Sequence, residues 1–318
     1  MPEPRIVVSK CLGFEPCRYD GSIILDPIVN SLREWVEFIP VCPEVEIGLG
    51  VPRPPVRLVW IAGEVRLLQP VTGLDLTEKM QAFAASFLDG LPPVDGFILK
   101  SRSPSCGLRD VKIYSAAEKV PPVRAGMGVF GGAVKARFPD IPVEDEGRLT
   151  NRAIREHFFT VIFALARLRE VVDSGQMKAL VDFHTRNKFL LLAYNQARLR
   201  ELGRLVANPQ QRPVNEVMAQ YVAGFKAALA RPPRRPAIVN VLMHALGYLS
   251  DQLTPAEKRY FLDLLTAYRE NKQPLSTPVG ILRAWLLRFE EPYLSVQTFF
   301  SPFPESLVSL QDSGKGRL

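Results

Sequence analysis

The sequence predicts an α/β N-terminal domain with a mainly parallel sheet, followed by an all-α C-terminal domain. Three observations carry this reading. Short apolar, β-branched runs alternate with helix-patterned segments through the first half, the rhythm of βαβ units. From about residue 151 apolar residues recur at helical spacing, and no strand signal of comparable strength follows. The 318 residues suffice for two domains, placed here at 1–150 and 151–318 and joined near IPVEDEGRLTN (141–151).

Along the first half, RIVVS (5–9) reads as a buried strand, residues 27–36 as an amphipathic helix, and EFIPVC (37–42) as an apolar run. VRLVW (56–60) and EVRLL (64–68) read as a hairpin about IAG. LTEKMQAFAASFLDGL (76–91) has helical spacing, GFILK (96–100) reads as a strand, and VKIYS (111–115) is a further candidate. GMGVFGG (126–132) lacks the Lys-Ser/Thr ending of a Walker loop; it reads as a tight turn into a helix, with a phosphate cradle as the alternative. The helical stretches of the second half run from RAIREHFFTVIFALARLREVV to TPVGILRAWLLRFEE, with Pro, Gly, Ser, Thr and Asn near their breaks.

The composition, 47% hydrophobic and 23% charged, is that of an ordinary globular protein. No apolar run approaches the ~20 residues that cross a bilayer, and MPEPRIVVSKCLG lacks the apolar stretch of a secretory signal. These features predict a cytoplasmic protein without membrane contact, whose four cysteines stay reduced and form no disulfide framework. Metal, cluster or redox chemistry then competes with plain packing as their role. The net charge of +7 is unevenly spread: residues 1–150 carry 17 Lys/Arg against 19 Asp/Glu, and residues 151–318 carry 23 against 14. A basic second half suits a polyanionic partner, a solvated basic face being the alternative.

Three cysteines stand at or just after predicted strand ends: Cys11 after RIVVS, Cys42 closing EFIPVC, and Cys106 in SRSPSCG after GFILK. Parallel strands present their carboxyl ends at one edge, so thiols distant in sequence converge there. The paired C-x2-C knuckles of a structural zinc site are missing. Three dispersed thiolates could hold three irons of a 4Fe–4S cluster and leave the fourth open as a Lewis acid; the alternative is that all four cysteines are buried packing residues. Chemistry-bearing residues surround them. Glu44 lies two residues from Cys42, KSRSPSCG (100–107) sets a Lys, an Arg and three serines around Cys106, and CRYDG (17–21) adds Arg18, Tyr19 and Asp20.

The segments SKCLGFEPCRYDG, PVCPEVEIGLGVPRPP and FILKSRSPSCG resemble the thiouracil desulfidase family over roughly residues 5–150. FHTRNKFLLLAYN, NVLMHALGYLS and YLSVQTFFSPFP resemble an uncharacterised helical family often fused behind it, and the fused arrangement is similar to the tRNA 4-thiouridine desulfidases. The resemblance implies a 4Fe–4S cluster held by Cys11, Cys42 and Cys106, with its unique iron available to substrate sulfur and Cys17 as a neighbouring or reserve thiol. SKCLGFEP has a single Leu where relatives often show CLLG, which alters the loop beside Cys11.

The implied chemistry is a non-redox hydrolysis in which a soft thiocarbonyl sulfur meets the open iron. Glu44 is the expected general acid/base, with a loop cap as its alternative role. Ser101 and Ser103 hydrogen-bond the base or cap turns, and Lys100 and Arg102 hold phosphate or stay solvated. His157, His184 and His244 are scattered over predicted helices; His184 and Lys188 would share one helix face, where an internal hydrogen bond is favoured over RNA contact. Arg198, Arg200, Arg204, Arg231, Arg234 and Arg235 would hold tRNA by its phosphates without reading its sequence. The leading expectation is a desulfidase, a hydrolase that converts 4-thiouridine in tRNA to uridine and uses its helical domain for RNA binding. The alternatives are the same chemistry on free thiouracil and a non-catalytic iron–sulfur RNA-binding sensor.

Overall fold

RIVVS forms a strand whose residues Ile6 to Ser9 are all buried, the pattern of a strand covered on both faces. The computed structural model describes residues 1–117, 120–309 and 311–313. Its strands are β1 (Arg5–Ser9), β2 (Glu37–Val41), β3 (Arg57–Ile61), β4 (Glu64–Gln69), β5 (Leu74–Asp75), β6 (Gly96–Leu99), β7 (Val111–Tyr114), β8 (Pro122–Gly126) and β9 (Val143–Asp145). Between and after them lie α1 (Pro27–Leu32), α2 (Pro43–Glu46), α3 (Thr77–Asp89), α4 (Val129–Arg137), α5 (Glu146–Leu149) and α6 (Arg152–Ser174).

One sheet has the order β2-β1-β6-β9 and is parallel throughout. The second, β5-β4-β3-β7-β8, is mixed: β3 and β4 form the expected antiparallel hairpin, β7 runs parallel to β3, and β8 closes an edge antiparallel to β7. This second sheet goes beyond the single parallel sheet that the pattern predicts. Its edges carry little signal, because β5 has two residues and β8 is a proline-led strand with an exposed surface. The helix expected over 27–36 ends at Leu32. Asp26 caps it, accepting from Ile28 N and Val29 N, and a turn donating Trp35 N to Leu32 O (2.9 Å) redirects the chain so that Glu37 pairs with Arg5.

Val7, Phe97 and Leu99 of the parallel sheet join Leu58, Leu67, Val111 and Ile113 of the mixed sheet in one apolar core. Met80, Ala84 and Leu88 of α3, with Phe130 and Val134 of α4, complete it. A Cβ built on Gly96 would meet Ile162 and Phe158, so the first half of α6 lies against β6.

The chain divides into two compact units, Met1–Ala166 with the residues from Ser306 onward, and Arg167–Glu305. Arg155 ties the C-terminal residues into the first unit, donating to Ser309 O (3.1 Å) and Gln311 O (2.6 Å).

The second unit is helical, and among its described residues there is no strand. After the end of α6 it contains α7 (Met177–Arg186), α8 (Lys188–Tyr194), α9 (Gln196–Ala207), α10 (Val214–Leu229), α11 (Arg235–Leu249), α12 (Pro255–Arg269), α13 (Ser276–Arg288) and α14 (Pro292–Ser295). Two asparagines cut the stretch 176–206 into three helices. Asn187 turns its amide back to Phe183 O (2.8 Å), and Asn195 caps α9 by accepting from Arg198 N (3.0 Å). The break at Asn187 places His184 and Lys188 on different helices, which corrects the shared face expected from their spacing. Thr254 and Glu257 start α12 with a reciprocal capping box. Among the described residues, no helix is long and apolar enough to cross a membrane.

Candidate active site

In the parallel sheet β2, β1 and β6 are neighbours, so their carboxyl ends lie side by side. Cys42 follows β2 directly as the N-cap of α2, Cys11 follows β1 by two residues, and Cys106 lies in the loop after β6. The fold brings these thiols together. Cys17, 1% exposed, has its sulfur within hydrogen-bonding reach of both Cys11 and Cys42, and Cys42 stands near enough to Cys106 to act on its ionisation. The neighbouring Cys11 thiol pushes Cys17 up to about 11, and Cys17 followed by burial pushes Cys42 upward. Burial pushes Cys106 up to about 12 against the opposing hydrogen bonds of Ser9 and Ser103.

Neighbouring thiols of this kind, with Cys17 and Cys106 buried and Cys11 and Cys42 half-buried, become thiolates when a metal takes the place of their protons. Among the described residues no three His, Cys, Asp or Glu side chains close around a single metal ion. Soft sulfur donors gathered at one sheet edge are the donor type of an iron–sulfur cluster.

Glu44, on α2, faces this edge and has both carboxylate oxygens engaged. Oε2 accepts from Arg53 Nε (2.9 Å) and Nη2 (2.8 Å), and Oε1 accepts from Ser105 Oγ (2.9 Å). Arg53 also donates to the carbonyls of Cys17 (3.0 Å) and Gly50 (3.2 Å), so one guanidinium links the Cys17 loop to α2 and the proline-rich loop. Its side chain is 5% exposed and that of Glu44 is 12% exposed. Arg53 and Ser105 are site residues that sequence reasoning missed. Arg53 stands inside the loop PVCPEVEIGLGVPRPP, yet no local pattern distinguishes it from a solvated arginine.

Ser101 belongs to a second cluster. The pairing of Leu99 with Asp145 sets the end of β6 beside the start of α5, so that Ser101 meets Glu146. Ser101 N donates to Glu146 Oε2 (2.7 Å) and Ser101 Oγ to Oε1 (2.6 Å), while Lys100 Nζ pairs with Oε1 and donates to Ser101 Oγ (2.9 Å). Asp26, whose carboxyl is pushed upward by burial, feels the charges of both Glu146 and Lys100. Lys100 is therefore held in an ion pair rather than left solvated, while Arg102 is exposed at positive φ (59°). Glu146 was also missed, lying 45 residues from its partner.

Ser103 Oγ accepts from Ser105 N (3.2 Å) and Cys106 N (3.1 Å), a turn that shapes the Cys106 loop. GMGVFGG packs on that same loop. Gly128 N donates to Gly107 O (2.7 Å), Val129 N to Pro104 O (3.1 Å) and Gly131 N to Ser105 O (3.0 Å), so the first amides of α4 are already taken. A Cβ on Gly131 would fall 2.6 Å from Cys106 O, and one on Gly128 would fall 2.5 Å from Ser105 O. The glycines serve close backbone approach, in line with the turn-into-helix reading. Gly131→Ala is accordingly expected to displace the Cys106 loop, read as a lower melting temperature and as faster labelling of Cys106 by a thiol reagent than in wild type.

In the second unit His184 is 4% exposed, shares a hydrogen bond with Tyr221 (Nδ1···Oη, 3.2 Å) and is lowered to about 4 by burial. The internal role favoured for it holds. Of the basic residues singled out from the sequence, Arg198 pairs with Glu201 (2.8 Å), and Arg235 donates to Tyr268 O (2.7 Å) while lying over the Tyr268 ring. Arg204 and Arg200 lie on one exposed side of α9.

A parallel sheet with thiols at its carboxyl edge, flanked by two carboxylates each in an ion pair, sets metal-binding and proton-transfer groups side by side. Comparison with known proteins supplies the family. The family model for 2-thiouracil desulfurase matches residues 6–146, and that of DUF1722, a protein of unknown function, matches residues 188–304. The chain belongs to the 2-thiouracil desulfurase family, with a DUF1722 domain fused behind it. It is 31% identical over 155 residues to the uncharacterized protein YbgA of Escherichia coli (strain K12), covering 48% of this chain and 91% of that protein. It is 34% identical over 109 residues to the uncharacterized protein YbbK of Bacillus subtilis (strain 168), covering 32% of this chain and 72% of that one. Among solved structures, the 4Fe-4S-dependent thiouracil desulfidase TudS is 29% identical, with a TM-score of 0.37, over 46% of this chain and 93% of its own. Family membership supports a desulfidase role on thiouracil.

Proposed function

We propose that this protein is a 4Fe–4S-dependent desulfidase that removes sulfur from 4-thiouridine in tRNA to give uridine, in the cytoplasm. Residues 1–150 carry out the chemistry and residues 151–318 hold the RNA. The observation that carries this reading is the convergence of Cys11, Cys42 and Cys106 beside the Glu44–Arg53 pair at one sheet edge. These three cysteines would hold the cluster, with Cys17 as a reserve thiol between two of them. Bound there, the cluster supplies an iron open to a thiocarbonyl sulfur.

The chain's own groups do the rest. Glu44, held by Arg53 and Ser105, takes a proton from the attacking water and returns one to the ring nitrogen or the departing sulfur. Arg53 orients that carboxylate, and Ser101, fixed by Glu146, presents its hydroxyl to the base. Ser103 keeps the Cys106 loop in shape. Water supplies the carbonyl oxygen and the thiocarbonyl sulfur leaves as sulfide, so no electrons change hands. The family description favours a second reading, the same chemistry on free thiouracil.

The deciding experiment measures sulfide release by anaerobically reconstituted protein from 4-thiouridine-containing tRNA and, separately, from free 4-thiouracil. Release from tRNA that disappears in Cys106→Ala and Glu44→Ala is the expected result. Release from the free base alone would replace the tRNA reading with the second one, and release from neither substrate with an intact cluster would end both.

A further inference from the structure

The second unit contains a groove of about 510 Å³ between α9, the turn after it and α10. That volume lies within the range of small-ligand and nucleotide sites. Its floor is apolar, formed by Leu202 and Leu205 of α9 with Gly224 of α10, and its rim carries Arg204 and Arg212. Arg198 also reaches the rim, but its charge is met by Glu201 at 2.8 Å.

Among the described residues, the other two rim arginines are not paired with a carboxylate. Arg53, Arg148, Arg152 and Arg283 each meet a carboxylate. Arg212 is braced instead by neutral amides, with Nε donating to Gln210 Oε1 (2.8 Å) and Nη1 to Gln220 Oε1 (3.1 Å). Arg204 Nε donates to the carbonyl of Arg200, at 3.4 Å. Arg212 is thus held in place, and among the described residues neither its guanidinium nor that of Arg204 is met by a carboxylate, the groove's own Glu201 being taken by Arg198. The turn is fixed as well: Asn208 adopts a left-handed conformation (φ 43°), accepts from Arg212 N (2.9 Å) and donates to Arg212 O (3.0 Å).

Planar guanidinium forks suit phosphate oxygens, and an apolar floor between them lets the face of a base leave water. We propose that this groove is where the helical unit grips an RNA strand, with phosphates at Arg204 and Arg212 and a base on the floor of Leu202, Leu205 and Gly224. The proposal deepens the tRNA reading and rests on it. It also narrows that reading, because Arg235 of the equally basic RPPRR segment is engaged in packing on Tyr268.

The test uses the full, cluster-loaded protein and unmodified tRNA as the probe, with binding measured across a salt series. The Arg204→Glu/Arg212→Glu protein is compared with wild type and with a control of equal charge change on exposed positions of α12, Arg259→Glu/Arg269→Glu. The groove variant is expected to bind tRNA at least tenfold more weakly, with a salt slope shallower by roughly 1.4 for two lost single-strand phosphate contacts. Its sulfide release from free 4-thiouracil should remain at the wild-type rate. The milder pair Arg204→Gln/Arg212→Gln gives the same comparison should the charge reversal impair folding. Equal losses in the groove variant and the α12 control would overturn the groove in favour of a diffuse basic surface, as would unchanged binding in both. If wild type itself fails to bind tRNA yet desulfurises the free base, the tRNA reading fails and the groove proposal with it, a result distinct from the other two.

Discussion

Arg53→Met is expected to be the most damaging single change outside the cysteines. Arg53 is 9% exposed and bonds one carboxylate and two carbonyls. Its removal leaves Glu44 as a nearly buried charge without its partner, and breaking a buried ion pair in this way costs about 3–5 kcal/mol. The carbonyls of Cys17 and Gly50 lose their donor as well. Urea titration should therefore show a midpoint well below wild type with an unchanged m-value. Sulfide release should fall at least about 100-fold, within the range for a misplaced general base. The double variant Arg53→Met/Glu44→Gln should recover part of the lost stability without recovering activity. The charge is then gone while the proton carrier is still missing, and this non-additivity identifies the two residues as a pair.

The second large effect is expected from Glu146→Ala. The side chains of Glu146 and Lys100 are 10% and 20% exposed, and the carboxylate accepts from Lys100, from Ser101 N and from Ser101 Oγ. Hydrogen bonds to a charged group contribute about 1.5–3 kcal/mol each when desolvated. Partial exposure of Lys100 and shared geometry bring the combined loss to roughly 2–4 kcal/mol. Ser101→Ala removes only the hydroxyl and should be milder in stability. The two variants should nevertheless lose kcat by similar factors, the result expected from the proposed role of Ser101, which Glu146 holds in place. If Glu146→Ala kept wild-type kcat while Ser101→Ala lost it, the positioning role would fail.

Some of this organisation is legible in the sequence alone. The strand at RIVVS, the hairpin about IAG, the helix after Leu76 and the change to helical spacing near residue 151 all follow from local periodicity. Periodicity depends on the face each residue must bury and can be read within a short window. The strand-end positions of Cys11, Cys42 and Cys106 were readable for the same reason, since parallel neighbours share a carboxyl edge. The resemblance to the desulfidase family rested on the loops at that edge.

The partners of the site were not readable in this way. Ser105 lies 61 residues from Glu44, and Glu146 lies 45 from Ser101. Their meeting depends on the register of β6 against β9 and on how the Cys106 loop folds back over α2. The three-residue β9 that sets the Glu146 contact is too short for any periodic signal. The glycines of GMGVFGG show their purpose only once α4 is seen lying on the carbonyls of Ser105 and Cys106. The basic second half follows the same division. Its excess charge is a property of composition, but which arginines are met by carboxylates or rings and which keep an open charge was decided by packing. A sequence determines periods, turn chemistry and charge totals, whereas contacts between loops arise only when the sheet register brings them within hydrogen-bonding distance.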